Sequence, residues 1–300
     1  MTKRLINSLI LSSLLCVAFA ANTKPKPQNL DTTLTKISGK KPSELQKHIK
    51  EQKKASETPL GISFFEPSYI LPVYYTANPD QAVYTGHTPD GQKLKNLEFK
   101  GQLSFMVPVW RDMFGKPDLS LNVSYTQLSY WQFYAKSQYF RETDYEPAVF
   151  LSYNFHKNWL LYTGIVHQSN GRGGDMERSW NRAYLNFMFS RGRWMFSVKP
   201  WVLIFKADSS DLHNPDIRRY LGNGRLLIAY KRGRNELSFM SRNNLQSGFK
   251  RGAIELTYSF HVLPHFYIYT QYFNGYGQSL IEYNHRTQAY GIGIALNDWL

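Results

Sequence analysis

Apolar and polar residues alternate from about residue 68 to residue 300, and this period of two limits the fold more than any other feature of the chain. The clearest row of apolar residues, with one glycine, consists of Leu97, Phe99, Gly101, Leu103, Phe105 and Val107. The residues between them are the polar Glu98, Lys100, Gln102 and Ser104. Similar rows are Trp194, Phe196, Val198, Pro200, Val202 and Ile204, and later Ile292, Ile294 and Leu296. Because successive side chains of a strand point to opposite faces, the pattern predicts strands with one apolar face.

The charged residues distinguish a membrane barrel from a soluble sandwich, which would also alternate. Lys199, Arg225 and Glu255 each lie between apolar neighbours. Such charges fit the polar lumen of a barrel whose opposite face meets lipid. Aromatic residues make up 16% of the chain, and no apolar run after residue 20 approaches the length of about 20 residues that a spanning helix needs.

About twelve alternating runs can be counted, and turn signals such as residues 114–117 and 232–234 separate them. The runs lie near residues 68–77, 95–108, 118–134, 145–155, 158–169, 180–191, 193–205, 219–231, 234–242, 247–259, 264–275 and 279–296. An even number of antiparallel strands leaves no unpaired edge in lipid. We therefore predict an all-β fold: a 12-stranded antiparallel transmembrane β-barrel with a polar N-terminal periplasmic extension. The lumen of so small a barrel is expected to be filled by hydrogen-bonded polar side chains.

The first 60 residues predict export. Residues 1–20 have two basic residues, an apolar run and a small-x-small cleavage signal, which is typical of a signal peptide. Cys16 is the only cysteine and lies inside this segment, so the mature chain is expected to have no thiol. Residues 21–60 are predicted to form a polar extension, with a short helix after Ser43 because Ser43 and Gln46 have capping-box spacing. Residues 61–300 are assigned to the barrel.

The net charge of the chain is +14, and this basic balance suggests an anionic partner. Export favours an anionic membrane surface over nucleic acid. The chain also lacks the aromatic-flanked basic motif of a nucleic-acid reader, so no nucleic-acid partner is expected.

Residues 167–181, HQSNGRGGDMERSWN, carry the candidate catalytic groups. His167 and Ser169 are two residues apart at the end of one predicted strand, so their side chains share a face. A hydroxyl becomes a nucleophile when a base takes its proton and a third group orients that base, and Asn181 can be this third group. A hydrogen-bonded surface pair without catalytic function would give the same short pattern.

All three residues continue apolar rows, which places them on the predicted lipid-facing side of adjacent strands. Polar groups there are costly unless they are used, although rows that end in the headgroup layer carry polar residues without any function. Gln127 also lies in an outward row of the third strand, and this places its amide near the middle of the apolar belt. The row consists of Leu119, Leu121, Val123, Tyr125, Gln127 and Ser129. The Gln127 amide suggests either contact with a second copy of the chain or a bulge that turns it inward.

The barrel from about residue 95 to residue 300 resembles the outer membrane phospholipase A family. The motifs that carry this resemblance are YTQLSYWQ (125–132), FRETDYEP (140–147), HQSNGR (167–172), SWNR (179–182), VKPW (198–201), NPD (214–216), GYGQSLIEYN (275–284) and LND (296–298). The resemblance implies a twelve-stranded barrel in the outer membrane. It also implies calcium-dependent hydrolysis of acyl esters of glycerophospholipids, controlled by homodimer formation, with the active site on the outer-leaflet side.

By the same resemblance, Ser169 is the nucleophile, His167 the general base and then acid, and Asn181 the residue that orients the imidazole. The backbone N–H of Gly171 would meet the oxyanion. The resemblance further assigns calcium ligands: the carbonyl of Arg172, the side chain of Glu177 and the carbonyl of Ser137 of the partner subunit.

Two positions depart from the family pattern. Glu177 stands where the family commonly has a small hydroxyl residue, and a carboxylate is expected to bind calcium at least as well. Asp175 matches a position of a second calcium site, but His213 stands where its acidic partner is expected. Two other classes stay open at this point: a non-catalytic structural or porin-like outer membrane barrel, and an exported soluble esterase. The second is disfavoured because Ser169 is not in a Gly-x-Ser-x-Gly motif.

Overall fold

The computed structural model describes residues 42–58, 61–205 and 213–300. The predicted signal peptide and residues 21–41 of the predicted extension lie outside the described residues. The described part begins with one helix, α1, Glu44–Ser56. Thirteen strands follow: β1 Ser63–Phe64, β2 Tyr69–Thr76, β3 Leu97–Trp110, β4 Leu119–Trp131, β5 Phe140–His156, β6 Trp159–Ser169, β7 Ser179–Arg191, β8 Trp194–Ile204, β9 Gly224–Arg232, β10 Asn235–Arg242, β11 Ala253–Leu263, β12 Phe266–Tyr276 and β13 Arg286–Ala295. A short helix, α2, Ile217–Leu221, lies between β8 and β9. Three 3₁₀ turns span Pro89–Gly91, Met113–Gly115 and Gly174–Met176.

Strands β2 to β13 form a closed antiparallel barrel, as predicted. Each strand pairs with the next in sequence, and β13 pairs with β2 to complete the circle. The two-residue strand β1 adds a short pairing to β3. Closure leaves every barrel strand paired on both sides, which a sheet surrounded by lipid requires. In the residues that the structure describes, no helix is long and apolar enough to cross a membrane.

The two faces of the strands divide as the alternation predicts. On β3, Glu98 and Lys100 are buried inside the barrel, whereas the Leu103 side chain is 48% exposed on the outer wall. Val198 and Ile292 of the other predicted rows are 52% and 51% exposed. Large apolar side chains so exposed on one continuous face are expected in a protein whose surface meets lipid.

A network of charged side chains fills the lumen near the end where the β12–β13 loop lies. Arg141 is central to it: its Nε and Nη2 donate to the carboxylate of Glu98 at 2.6 and 2.8 Å, and its Nη1 donates to Glu282 at 2.9 Å. Farther along, Lys100 Nζ donates to Gln271 Oε1 at 2.6 Å. Buried charges are tolerated when they are paired in this way. The prediction of a polar, filled lumen is thus confirmed.

The helix α1 closes the opposite end of the barrel. The predicted capping box is present, because the Ser43 side chain accepts from the backbone of Gln46 and the Gln46 side chain accepts from that of Ser43. Leu45 is 3% exposed and packs in the barrel core, and Ser43 Oγ lies 2.6 Å from Ser190 Oγ of β7. Burial and the nearby Lys231 lower the pKa of His48 to about 4. The compact unit that contains the barrel begins at Pro42, so this part of the predicted 21–60 extension packs against the barrel.

Four predicted strand starts were wrong by five residues or more. β9 begins at Gly224 instead of 219, because Ile217–Leu221 form the helix α2. The strand predicted for 279–296 begins at Arg286, since residues 277–285 fold into the mouth of the barrel and bury Leu280 and Ile281. Their backbone N–H groups donate to Asp144 and Glu142, so this backbone is satisfied without a strand partner. β5 begins at Phe140 instead of 145, because its charged first residues are buried as ion pairs. β11 begins at Ala253 instead of 247, after a hydrogen-bonded loop.

Candidate active site

The candidate site lies at the end of the barrel that carries the long loops. At one end most connections are two-residue turns, namely residues 157–158, 192–193, 233–234 and 264–265, and the remaining one spans residues 111–118. At the other end they are long, and they include residues 77–96, 170–178 and 243–252. Outer membrane barrels have short periplasmic turns and longer extracellular loops. Because β6 ends at Ser169 and β7 begins at Ser179, the site lies on the extracellular side.

His167 and Asn181 are brought together by the pairing of β6 and β7. They are direct cross-strand partners, and His167 Nδ1 lies 2.9 Å from Asn181 Oδ1. Both continue outward rows: Ile165, two residues before His167, is 53% exposed, and Leu185 of β7 is 40% exposed. The imidazole–amide pair therefore lies on the outer wall of the barrel.

Ser169 lies on the same outward face, one position beyond His167 in that row. Its cross-strand partners are Ser179 on β7 and Tyr145 on β5, and its side chain is half-buried. In the described part of the chain, Ser169 Oγ makes no hydrogen bond with the His167 ring. Catalytic hydrogen bonds are often long in a ligand-free site and shorten when substrate binds.

Asn170, which the sequence analysis did not single out, holds the loop after Ser169. Its Nδ2 donates to Glu142 Oε1 at 3.1 Å and to the carbonyl of Met176 at 2.8 Å. Its Oδ1 accepts from the backbone N–H of Arg172 and of Arg178 at 3.4 and 3.0 Å. Asn170 is 4% exposed, so its amide ties residues 170–178 to the buried network of the lumen. The sequence could have pointed to Asn170 by its position between Ser169 and Gly171 in the HQSNGR motif.

Gly171 has a backbone conformation and surroundings that only glycine suits. Its φ is +64°, in the left-handed region, and a Cβ there would lie 2.9 Å from Cε2 of Tyr145. Its N–H donates no hydrogen bond to any residue that the structure describes, and the residue is exposed. A free backbone donor next to a hydroxyl is what stabilisation of an oxyanion needs.

The residues assigned to calcium by resemblance lie on two loops. The Arg172 guanidinium is paired with Glu142, with Nε donating to Oε2 at 3.1 Å. The half-buried Glu177 carboxylate has no hydrogen bond or ion pair with the described residues, whereas its carbonyl accepts from Arg178 Nη1. On the other loop, the Ser137 carbonyl accepts from Gln92 Nε2 at 2.7 Å. No hydrogen bond joins Ser137 to residues 170–178 within the described ranges.

No cluster of three His, Cys, Asp or Glu side chains that could hold a metal occurs among residues 42–58, 61–205 and 213–300. A calcium site formed by the residues above would depend on backbone carbonyls. Asp175 lies near His87, whose Nε2 is 3.3 Å from Asp175 Oδ2.

Gln127 faces outward, and the alternative of a bulge that turns it inward is wrong. The ladder between β3 and β4 is unbroken there, with Gln127 opposite Leu103, and the ladder between β4 and β5 pairs it with Tyr145. Its Oε1 accepts from the Tyr125 hydroxyl at 2.8 Å, and its Nε2 donates to Ser129 Oγ at 3.2 Å. Gln127 and Ser169 are thus the two neighbours of Tyr145 in one row across the outer wall.

These features define an integral β-barrel of the outer membrane with a hydroxyl, an imidazole and an amide on its outer wall. The phospholipase A1 family model matches residues 45–296. Phospholipase A1 of Escherichia coli K12 is 41% identical over 252 residues, which cover 81% of this chain and 83% of that protein. The chain belongs to the phospholipase A1 family.

Solved structures agree with this assignment. The crystal structure of the Salmonella typhi outer membrane phospholipase dimer with bound calcium aligns with a TM-score of 0.73 and 35% identity, over 81% of this chain and 94% of that one. An active-site mutant of Escherichia coli outer membrane phospholipase A aligns with a TM-score of 0.76 and 33% identity, over 84% and 98%. The predicted family, enzyme class and outer membrane location are confirmed, so the non-catalytic barrel and the soluble esterase are set aside.

Proposed function

We propose that this phospholipase hydrolyses acyl esters of glycerophospholipids with Ser169, His167 and Asn181, and that it acts as a calcium-dependent homodimer. The observation that carries the proposal is the 2.9 Å contact between His167 Nδ1 and Asn181 Oδ1, with Ser169 next in the same outward row. Substrate would reach this row from the outer leaflet, since the row lies at the extracellular end of the apolar wall.

The contact with Asn181 supports a separate role for each imidazole nitrogen. An amide oxygen only accepts, so the proton of a neutral ring is assigned to Nδ1 and Nε2 is the free base. Nε2 would take the Ser169 proton while Oγ attacks the ester carbonyl carbon. The protonated ring would then give this proton to the leaving lysophospholipid oxygen. Water, activated by the same nitrogen, would release the fatty acid and restore Ser169.

An amide at Asn181, where many other triads have a carboxylate, has one disadvantage and one advantage. An amide stabilises the imidazolium less than an aspartate does, but it costs less to hold next to lipid than a charge. Its main role is therefore to hold the ring and its tautomer. The negative charge on the former carbonyl oxygen would be met by the Gly171 N–H.

The oxygen atoms near Gly171 fit calcium. Calcium prefers hard oxygen ligands such as carboxylates and backbone carbonyls. Here the Glu177 carboxylate has no cationic partner among the described residues, and the Arg172 guanidinium is paired with Glu142. The Arg172 carbonyl and the Glu177 carboxylate would hold the ion, together with the carbonyl of Ser137 of the partner subunit. When bound, calcium supplies positive charge where the oxyanion develops. The dimer with bound calcium reported for the Salmonella typhi protein supports this proposal.

Removal of calcium tests the proposal. We expect the refolded protein to hydrolyse phospholipid in mixed micelles with calcium, and to lose activity by roughly 10²-fold or more when EGTA removes the ion, since an important oxyanion stabiliser is lost. The fatty acid released is measured by titration, and activity should return on addition of calcium. An equal rate in EGTA would exclude a calcium-dependent mechanism.

Substitution of Glu177 tests the ligand assignment. Glu177→Ala should raise the calcium concentration that gives half-maximal activity by roughly tenfold or more, because the only charged ligand proposed is removed. The control is Asp118→Ala, which removes the same charge from an exposed residue in the connection between β3 and β4, at the other end of the barrel. If both variants shift the calcium requirement equally, the effect is one of net charge and Glu177 is not a ligand.

Crosslinking at Gln127 tests the homodimer. With one N–H and one lone pair not used by Tyr125 and Ser129, the amide can still bond across an interface. In a Cys16→Ser background, Gln127→Cys should form a disulfide-linked dimer in detergent, with more dimer when calcium is present. The control is Leu237→Cys on β10, which is 55% exposed on a distant part of the outer wall. Equal yields at the two positions would mean that the contact is random collision.

A further inference from the structure

The loop between β10 and β11, residues 243–252, presents two large apolar side chains on the extracellular side. Leu245 is 82% exposed and Phe249 is 76% exposed, far more than the outward residues of the strands below. Neither belongs to the proposed catalytic or calcium site. Exposed apolar side chains at a loop tip need a partner surface to be useful.

Hydrogen bonds within the loop hold its backbone in one conformation. Backbone N–H groups of Ser247, Gly248, Phe249 and Lys250 donate to carbonyls within the loop, at 2.8 to 3.2 Å. The Asn244 side chain donates to the carbonyl of Ala253 at 2.8 Å, which closes the base of the loop. The exposed side chains are therefore carried by an ordered backbone.

Phe249 holds an unfavourable backbone conformation. Its φ is +62°, in the left-handed region, where the Cβ of any residue other than glycine lies too close to the following carbonyl oxygen. Glycine would avoid this close approach and stands at the preceding position, Gly248. Packing of the Phe249 ring within the fold does not offset this unfavourable conformation, because the ring is mostly exposed.

Cationic residues lie close in the chain to the two apolar side chains and on the adjoining loop. Lys250 and Arg251 follow Phe249 directly, and Arg218 and Arg219 belong to α2. The Arg251 guanidinium lies over the Tyr220 ring, with Cζ 5.2 Å from the ring centroid, and Arg219 Nη1 lies 3.9 Å from Asp216 Oδ2. The side chain of Asn243 joins the two loops, since its Nδ2 donates to the carbonyls of Arg219 and Tyr220 at 2.8 and 3.0 Å. In residues 213–223 and 243–252, Asp216 is the only acid, and residues 206–212 of the β8–β9 loop add Lys206, Asp208 and Asp211 to its sequence.

The loop stands at the height of the outer headgroup layer. β10 has 8 residues. At about 3.3 Å per residue and a tilt of about 40°, a strand of that length rises about 20 Å, close to the apolar belt of about 25 Å. The outward side chains Leu237, Leu256 and Ile254 lead along this wall toward the loop.

We propose that residues 243–252 anchor the protein to anionic lipid in the outer leaflet. Leu245 and Phe249 enter the acyl-chain region, and Lys250 and Arg251 bind the phosphate groups of the same lipids. A soluble anion would need only the cations, and a neutral lipid surface only the apolar side chains. The combination fits a lipid that carries both acyl chains and negative charge. The anchor is separate from the catalytic row, so the proposal goes beyond the proposed function.

Depth measurements on spin labels test this anchor. In a Cys16→Ser background, Leu245→Cys and Phe249→Cys carry a nitroxide, and Thr85→Cys on the exposed β2–β3 loop is the control. The protein is refolded into vesicles of ether-linked phosphatidylcholine, with or without ether-linked phosphatidylglycerol. Such lipids have no acyl ester to hydrolyse, so failure of the proposed catalytic mechanism does not affect the result. Power saturation with oxygen and with a water-soluble nickel chelate gives the depth of each label.

In the anionic vesicles, we expect oxygen to relax the labels at 245 and 249 more strongly than the nickel chelate does. In both kinds of vesicle, we expect the nickel chelate to relax the Thr85 label more strongly than oxygen does. Adding Lys250→Gln and Arg251→Gln should lower the ratio of inserted to exposed label by roughly 30-fold in anionic vesicles, as expected for two lost lipid contacts. Labels at 245 and 249 that behave like Thr85 in both vesicles would overturn the proposal. So would protection in neutral detergent that grows with protein concentration, because it would assign the loop to contact between two copies of the chain.

Discussion

Replacing Ser169 with alanine is expected to lower phospholipid hydrolysis by roughly 10⁴-fold or more, the range seen when a serine nucleophile is removed. The loss should appear in the turnover rate, because the row that would bind the acyl chains is unchanged. Fold should be retained, since Ser169 Oγ makes no hydrogen bond in the described part of the chain. Release of fatty acid measures the activity, and heat-modifiable mobility on a gel measures the folded barrel.

Ser179→Ala is the matched control for that experiment. Ser179 lies directly opposite Ser169 across the β6–β7 ladder, and its backbone is held by the side chain of Asn214, with both hydrogen bonds at 3.0 Å. The substitution leaves those backbone bonds intact, so activity should stay near that of the native protein. Appreciable hydrolysis by Ser169→Ala, with Ser179→Ala also active, would reject Ser169 as the nucleophile.

Replacing Arg141 with methionine is expected to cost about 3–5 kcal/mol of unfolding free energy, because it leaves buried charges without their partner. Arg141, Glu98 and Glu282 are each 1% exposed at the side chain. Burial alone would raise the pKa of Glu282, but Arg141 and the Ser279 hydroxyl hold it below its ordinary value, so this carboxyl is charged. Denaturant unfolding of the protein in detergent, followed by tryptophan fluorescence, measures the change.

Arg234→Met is the control, because Arg234 is exposed in the turn between β9 and β10. It should change stability by less than about 0.5 kcal/mol. Adding Glu98→Gln and Glu282→Gln to Arg141→Met should recover part of the loss, since no unpaired charge then remains. If Arg141→Met unfolds like Arg234→Met, the ion pairs do not stabilise the barrel.

The charged network also explains why some strand boundaries could not be predicted. Arg141 and Glu142 interrupt the apolar alternation, so the start of β5 was placed five residues late, at 145 instead of Phe140. Leu280 and Ile281 look like part of a strand in the sequence. They fold into the barrel mouth because Asp144 and Glu142 accept their backbone N–H groups. These partners are more than one hundred residues away, so no local pattern reports them.

The features that the sequence determined by itself depend on residues close to one another in the chain. The period of two follows from strand geometry, so it predicted the barrel, its twelve strands and the outward face of His167 and Ser169. The capping box at Ser43 is likewise set within four residues. The tertiary structure alone decided contacts that no sequence pattern indicated: Asn170 joined to Glu142, and Arg141 joined to Glu282. Strand register and the filling of the lumen depend on contacts between distant residues, and a periodic pattern carries no information about those.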